Sequence, residues 1–275
     1  MDLNVIIGKN KTFDTKQVIA DKVKNAMTLG FRTIGLTVDV DHQHIPHIPI
    51  PPIIRLEDIA LDRKDVVIKT RLNVRVEEHI QTHRLNQSEN AKKYDLLSIE
   101  PLNDKMLSHL NKGNFDTDLI TFNFSSTLCP DIKRSNFSIP ISKGVGIEIN
   151  YGNSLLDPTS RRSLFSLSQL LVEKTKSKNI VISSGSTTSF ALRAPKDVTY
   201  LGLMFGLNGD QSKAAVFRNP ILVLKHSEIR KNVNMGTISL TSCDLHNENK
   251  WLNKEFASVK RVSDDESSKT KKVKI

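Results

Sequence analysis

Several residue types and motifs that identify common protein classes are scarce or missing in this chain of 275 residues. The two cysteines, Cys129 and Cys243, are too few for a four-cysteine zinc site or a disulfide framework, which favours a reducing compartment. No apolar run approaches the roughly 18 residues of a membrane span, and the first residues lack the basic start and apolar centre of a secretory signal. Walker loops, the Rossmann glycine fingerprint and the nucleophile elbow are also missing. We therefore expect a soluble, intracellular, globular protein rather than a secreted scaffold or a membrane protein.

Acidic residues are also scarce relative to basic ones: the chain has 30 Asp and Glu residues and 40 Lys and Arg residues, which gives a formal net charge of +10. Such a charge favours a polyanionic partner, either nucleic acid or an anionic membrane surface. Aromatic residues make up 5% of the chain and form no RNP-like run, which disfavours a base-stacking platform and favours contacts to an RNA backbone or recognition of RNA shape. The segment 256–275 is charged and rich in serine, so we expect a disordered basic tail after a domain of residues 1–255.

Apolar runs rich in Val and Ile alternate with helical patterns along most of the chain. Seven runs are predicted as strands: 3–7, 33–38, 66–76, 94–99, 119–124, 145–151 and 179–183. Helices are predicted at 14–29, 77–93, 104–110 and 158–176, the first with a capping-box-like start at Asp14 and Gln17 and with Gly30 just beyond its end. Strands that alternate with helices indicate parallel βαβ units, and the length suits a TIM-like (β/α) barrel of about 250 residues. The eighth strand of such a barrel would be 198–205, which reads equally well as a helix, or 237–240.

Polar side chains occupy the predicted inner face of several strands. In the strand 145–151, Glu148 and Asn150 alternate with apolar residues, and Asp2 and Asn4 do the same in the first strand. One interpretation is an active site in which Asp2 and Glu148 bind a metal or form an acid–base pair. The other is a buried network in which Arg71 neutralises Asp2 or Glu148. We favour the network, because barrel metal sites commonly use imidazole and none of the histidines falls on a predicted strand.

The segment 42–52, HQHIPHIPIPP, is predicted as a long extended loop, because its prolines exclude a regular helix or a central strand. His42, His44 and His47 could supply three zinc ligands. The loop provides no fourth ligand and no rigid element to hold them, so a solvated loop is the default interpretation.

The best-defined helix start is Asp157-Pro158, with Asp157 as N-cap and Pro158 in the first position. Arg161 and Arg162 follow in the first turn, where the helix dipole disfavours each cation by ~0.3–1 kcal/mol. An anion should therefore offset them, either a bound phosphate or an intramolecular carboxylate such as Asp157 or Glu148. The sequence leaves these two possibilities open.

Further basic residues follow one another through the second half of the chain. Loops at one barrel face could join them, with the arginine pair, into an RNA-binding or assembly patch, although an ordinary solvated surface would also carry them. The candidates are Lys133, Arg134, Lys143, Arg161, Arg162, Lys174, Lys176, Lys178, Arg193, Lys213 and Arg218.

Five blocks follow one another in order: Asp2-Leu3-Asn4-Val5, Asp118-Leu119-Ile120-Thr121-Phe122, the run 143–152 (KGVGIEINYG) continuing to Asp157 and Arg161-Arg162, the run 180–185 (IVISSG), and Lys213-Ala214-Ala215. This ordered set resembles the thirty-kilodalton protein subunit family of ribonuclease P and RNase MRP, and the basic tail resembles that of fungal members. The resemblance spans residue 2 to about residue 240. The segment 42–52 departs from the family pattern and has no assigned role.

The resemblance implies a TIM-like barrel related to the polymerase-and-histidinol-phosphatase phosphoesterases. Those enzymes carry a His-x-His pair after the first strand, whereas this chain reads Asp2-Leu3-Asn4-Val5 there, so no metal is expected in the protein. The family implies a non-catalytic subunit that helps a catalytic RNA, with magnesium held by the RNA, to remove the 5′ leader of precursor tRNA and to process ribosomal RNA. The alternative is a metal-dependent phosphoesterase of the same barrel superfamily.

The resemblance also implies partners and a location. The partners would be ribonuclease P RNA and MRP RNA, a small ferredoxin-like protein subunit, other holoenzyme proteins and, through the particle, precursor tRNA; no membrane partner is expected. The family suggests residence in the nucleus and nucleolus, and the run 269–274 (KTKKVK) would suit nuclear import.

Overall fold

The structure, a computed structural model, describes residues 1–52, 66–113, 115–122 and 130–232. Two predicted features, the strand at 237–240 and the basic tail at 256–275, lie outside the described residues, and the domain boundary at 255 stays a prediction. Residues Met1–Asn234 form one compact unit.

Parallel strands form a curled sheet that is the centre of the fold. The strands are β1 (Asp2–Lys9), β2 (Thr12–Phe13), β3 (Thr33–Val40), β4 (Val67–Val76), β5 (Leu96–Pro101), β6 (Leu119–Thr121), β7 (Gly146–Asn150) and β8 (Ile180–Ser183). They are ordered β2-β1-β3-β4-β5-β6-β7-β8, and only the short β2 pairs antiparallel. The chain after β8 returns to β1 through a parallel bridge between Val5 and Ser186, with Ile6 N donating to Ser186 O at 2.9 Å. The predicted TIM-like architecture is confirmed.

Helices connect these strands or follow the last of them. They are α1 (Lys16–Thr28), α2 (His79–Gln87), α3 (Glu89–Lys93), α4 (Asp104–Asn111), α5 (Ser138–Ser142), α6 (Gly152–Leu156), α7 (Pro158–Thr175), α8 (Pro195–Met204), α9 (Gly209–Lys213), a π-helix (Ala214–Arg218) and α10 (Asn219–Asn232). None of the described helices is both long and apolar enough to cross a bilayer.

Of the two candidates for an eighth strand, the segment 198–205 is not a strand but forms most of α8, the helical alternative that its sequence also allowed. Pro195 occupies the first turn, and Val198 and Gly202, one helical turn apart, are its buried residues. Seven parallel strands and the Val5–Ser186 bridge therefore enclose the barrel in the described part of the chain.

The start of α1 also differs from the prediction. Thr15, not Asp14, is the N-cap, and its hydroxyl accepts from Val18 N. Asp14 instead pairs with the Lys22 ammonium at 2.5 Å, because Lys22 is buried against the barrel and needs a counter-ion. Gly30 follows the helix with φ +99°, the left-handed conformation predicted for this position.

The segment predicted as an extended loop begins instead with a 3₁₀ helix, His42–His47, in which His44 N donates to Asp41 O at 2.8 Å. Pro46 fits there because a short 3₁₀ turn does not need every N–H. The buried side chains of Ile45 and Ile48 anchor the turn to the core. Prolines therefore excluded an α-helix here but not a helical turn.

Sequence patterns did not predict α10, which covers the amino-terminal end of the barrel. Its Val223 packs into the lumen against inward residues of four strands, Leu3, Leu96, Leu119 and Val181. Buried Asp118, just before β6, holds the helix through His226 Nδ1 at 2.8 Å and Arg230 Nη2 at 2.9 Å. Among the described residues, α10 thus closes the amino-terminal end of the barrel.

Candidate functional site

A buried ion pair between Arg71 on β4 and Glu148 on β7 crosses the middle of the lumen. Both guanidinium Nη atoms lie 2.5 Å from the Glu148 carboxylate oxygens, and both side chains are fully buried. Arg71 also donates through Nε to Ser98 Oγ at 3.1 Å and through Nη1 to Leu3 O at 3.0 Å. Of the two partners that the sequence left open for Arg71, the structure selects Glu148.

Hydrogen bonds complete the surroundings of the Glu148 carboxylate. It accepts from Ser183 Oγ and, at 3.4 Å, from Asn4 Nδ2. Burial alone would raise the pKa of Glu148, but the Arg71 guanidinium outweighs it and holds the pKa below its ordinary value. Glu148 is therefore ionised at neutral pH, with both oxygens already occupied by protein donors.

The first strand does not follow the simple alternation predicted for it. Its register with β3 shifts between Asp2 and Val5, so that Leu3 and Asn4 both reach the inner side of the barrel. Asp2 instead accepts from the backbone N–H groups of Asn4 and Ser184, at 3.1 and 3.2 Å. Burial raises the pKa of Asp2. The prediction that Asp2 shares the network around Arg71 is wrong, because a β-bulge reverses the face it occupies.

A second polar cluster, which sequence reasoning missed, lies at the open end of the barrel. Arg75 on β4 binds Glu100 on β5 at 3.2 Å and Asp41, just beyond β3, at 2.8 Å, while Asp39 accepts from Asn73 Nδ2 at 3.0 Å. Burial raises the pKa values of Asp39 and Glu100, whereas Asn10, Arg75 and Lys9 hold the pKa of Asp41 low despite partial burial. The sequence signal that could have found this cluster is the two-residue period of β4, which continues from Arg71 through Asn73 to Arg75.

These side chains border a cleft at the carboxyl ends of the strands, where TIM-barrel active sites lie. We call this cleft the barrel mouth. Among the described residues, no group of three or more His, Cys, Asp or Glu side chains is arranged to hold a metal ion. The cleft is lined by Asn4, Ile6, Asp39, Asn73, Arg75, Glu100, Phe122, Asn150, Asn153, Ser154, Ser160 and Gly185.

The two arginines at the start of α7 have different environments. Asp157 caps the helix as predicted, accepting from Ser160 N at 2.7 Å. Arg161 donates to the backbone oxygens of Ser154 and Leu155, at 3.0 and 3.3 Å, at the end of α6. Neither Asp157 nor Glu148 accepts a hydrogen bond from Arg161, because the free carbonyls of a helix end also attract a cation. The bound phosphate stays a prediction. Arg162 is exposed.

The basic candidates do not form one patch, because α7 separates them. Arg161 and Arg162 lie at its start, whereas Lys174, Lys176 and Lys178 lie at or beyond its end, and an 18-residue helix is about 27 Å long. Lys143 lies just before β7 and donates to Gly113 O at 2.6 Å. The prediction of a single patch is wrong, because each helix carries the chain from one end of the barrel to the other and so places these residues at both ends.

Several of the remaining candidates already have protein partners. Lys133 pairs with Asp131 at 3.0 Å and Lys174 with Glu173 at 2.8 Å. Arg193 donates to the backbone oxygens of Phe190 and Leu192, both at 2.8 Å. Arg134 is exposed, and Lys213 and Arg218 are exposed and line a common groove with Lys196, a residue that the sequence did not single out.

Comparisons with known proteins find relatives over most of the chain. The Schizosaccharomyces pombe probable ribonuclease P protein subunit 3 is 28% identical over 233 residues, which cover 84% of this chain and 95% of that protein. The mouse ribonuclease P protein subunit p30 is 33% identical over 177 residues, 64% of this chain and 65% of that protein. The match to the Arabidopsis thaliana protein GAMETOPHYTE DEFECTIVE 1, 33% identical over 151 residues, covers 54% of this chain but 26% of that longer protein.

A chain of an archaeal ribonuclease P, solved by cryo-EM with mature tRNA, has the same fold. It superposes with a TM-score of 0.61 at 13% identity, over 88% of this chain and 100% of that one. The family model for RNase P subunit p30 matches residues 1–232, which include the Arg71–Glu148 pair and α10. The chain therefore belongs to the RNase P subunit p30 family.

Proposed function

We propose that this chain is a protein subunit of the ribonuclease P and RNase MRP ribonucleoproteins, where it supports 5′ leader removal from precursor tRNA and processing of ribosomal RNA. The observation that carries the proposal is the family match over residues 1–232. The net charge of +10 adds support, because a basic exterior attracts RNA phosphates.

The lumen favours a supporting role over independent catalysis. Arg71 occupies both oxygens of Glu148, so this carboxylate is not free to act as an acid, base or metal ligand. Asp2 binds two backbone amides through Oδ1 and does not contact Glu148, so the two carboxylates do not form the joint site that a phosphoesterase would need. The phosphoesterase alternative based on Asp2 and Glu148 is therefore disfavoured by geometry. We propose that chemistry belongs to magnesium ions on the catalytic RNA.

The proposed partners follow from the same role. They are ribonuclease P RNA, MRP RNA, other holoenzyme proteins including a small ferredoxin-like subunit, and precursor tRNA within the particle. Residence in the nucleus and nucleolus is part of the proposal and is supported by the basic run 269–274.

Reconstitution tests the proposal. Cleavage of a precursor tRNA would be measured with catalytic RNA and the complete protein set, with and without this chain, and with this chain alone. We expect omission to slow 5′ leader removal and the isolated chain to be inactive. Full activity without the chain, or hydrolysis of precursor tRNA or a generic phosphoester by the chain alone, would contradict it.

A further inference from the structure

A surface groove between α8 and the π-helix combines exposed aromatic rings with basic side chains. We call it the aromatic groove. Two rings of different helices contribute to it, Tyr200 of α8 and Phe217 of the π-helix, with exposed fractions of 68% and 46%. Its lining residues are Lys196, Thr199, Tyr200, Asp210, Lys213, Ala214, Phe217 and Arg218.

The backbone beneath the rings is held rigidly. Ser212 Oγ donates to Thr199 O, and Gly202 allows α8 to approach α9 so closely that a Cβ there would clash with Ser212 Oγ. On the π-helix, Ala215 and Val216 are buried, which directs Phe217 outward. A π-helix within a longer helix is rare and is frequently found at functional sites. The groove is thus preorganised, which limits the entropy that a ligand must overcome.

The charges around the rings favour an anionic ligand. Lys196, Lys213 and Arg218 line the groove, against one lining carboxylate, Asp210. Within the described residues, none of the three cations forms an ion pair. They are therefore available to a ligand.

We infer that the aromatic groove binds an unpaired RNA segment, with Tyr200 and Phe217 stacking on bases and the three cations contacting phosphates. Stacking needs an exposed base face, which single strands offer and duplexes do not. Aromatic and arginine side chains also occur at protein interfaces, but three cations against one carboxylate favour a polyanion over a protein segment. The inference rests on the proposed function, and it departs from the sequence-based expectation of backbone contacts alone: a low aromatic content does not prevent two rings from meeting at one groove.

The test measures binding of the full chain to labelled oligouridylate and to a blunt RNA duplex over a salt series, by fluorescence anisotropy. We expect Tyr200→Leu and Phe217→Leu each to weaken oligouridylate binding about tenfold at every salt concentration, with little change for the duplex. The slope of log affinity against log salt should stay unchanged in these variants, because no phosphate contact is lost. Lys213→Ala should reduce that slope by about 0.7, as expected for one lost contact to a single strand.

Conservative variants separate stacking from simple apolar contact. Tyr200→Phe and Phe217→Tyr retain a ring and should bind as wild type, and Met204→Ala, a 58% exposed position on α8 outside the groove, is the matched control. Thermal melting should match wild type in all of them, because the substituted side chains are exposed.

The outcomes are distinguishable. Leucine variants that bind oligouridylate like wild type would overturn stacking, and if they also fail to enter the reconstituted particle, the groove is a protein-docking surface. Binding of the catalytic RNA without binding of oligouridylate would overturn this inference alone. Absence of binding to any RNA at low salt would count against the proposed function as well.

Discussion

Replacing Arg71 with methionine should severely destabilise the barrel. The substitution retains an apolar side chain of similar length but leaves the Glu148 carboxylate buried without its counter-ion. It also removes the hydrogen bonds to Ser98 Oγ and Leu3 O. Loss of one partner of a fully buried ion pair costs about 3–5 kcal/mol. For a domain of this size, that corresponds to a fall in melting temperature of roughly 6 to 20 °C.

The pH dependence provides a second signature. In the wild type, the pKa of Glu148 is lower in the folded than in the unfolded state, so the pair stabilises the fold above the unfolded pKa and this contribution is lost as pH falls through the folded pKa. In Arg71→Met, burial without the guanidinium should raise the pKa of Glu148 above its unfolded value. The variant should then lose stability as pH rises above the unfolded pKa, so its deficit should be larger at pH 7 than in mild acid.

Melting curves followed by circular dichroism would measure both effects. Arg71→Met combined with Glu148→Gln should recover much of the lost stability, because it removes the buried charge and retains an acceptor for Ser183. Arg162→Ala is the exposed control and should melt close to wild type. An Arg71→Met variant that melts within a degree or two of the wild type, with no change in pH profile, would show that the Arg71–Glu148 pair does not stabilise the barrel.

Three further predictions concern other sites. Asp118→Asn should destabilise the chain by about 3 kcal/mol and speed amide hydrogen exchange in α10, because it weakens the buried anchor of that helix; unchanged exchange in α10 would contradict this. Arg161→Ala should lower the free energy of unfolding by about 1 kcal/mol, because its contacts with two carbonyl oxygens are lost. Arg162→Ala should leave the melting temperature unchanged and reduce the salt slope of RNA binding. The opposite results would show that Arg162 supports the fold and Arg161 contacts RNA. Because the pKa of Asp39 is raised in the folded state, the fold loses stability as pH rises above the pKa of Asp39 in the unfolded state. Asp39→Asn should therefore be more stable than the wild type in urea unfolding at pH 7. A less stable variant would show that the Asp39 charge stabilises the fold.

Much of the barrel was predictable because each strand carries its own local pattern. The strict alternation in β7 placed Glu148 inside, and the cap at Asp157 fixed the start of α7. Continuing the same alternation along β4 from Arg71 to Arg75 would also have indicated the barrel mouth. These features depend only on residues close together in sequence.

The remaining features depend on contacts between distant residues. The bulge in β1 arises from its pairing with β3, where Gly35 approaches the Leu3 backbone closely, and no local pattern signals it. The role of α10 depends on Asp118, more than 100 residues earlier in the chain. Arg161 is the exception, since the carbonyls of Ser154 and Leu155 lie close to it in sequence and become available because α6 ends there.

We propose that the basic exterior of this barrel, rather than the carboxylates at its mouth, contributes to precursor-tRNA cleavage. A direct test compares cleavage by reconstituted particles that carry either Asp39→Asn or the pair Lys213→Ala and Arg218→Ala. We expect wild-type cleavage with the mouth variant and slower cleavage with the exterior variant, and the affinity gap between the exterior variant and the wild type should narrow as salt rises because the variant makes fewer phosphate contacts. Loss of cleavage with a folded Asp39→Asn subunit, while the exterior variant remains fully active, would contradict it.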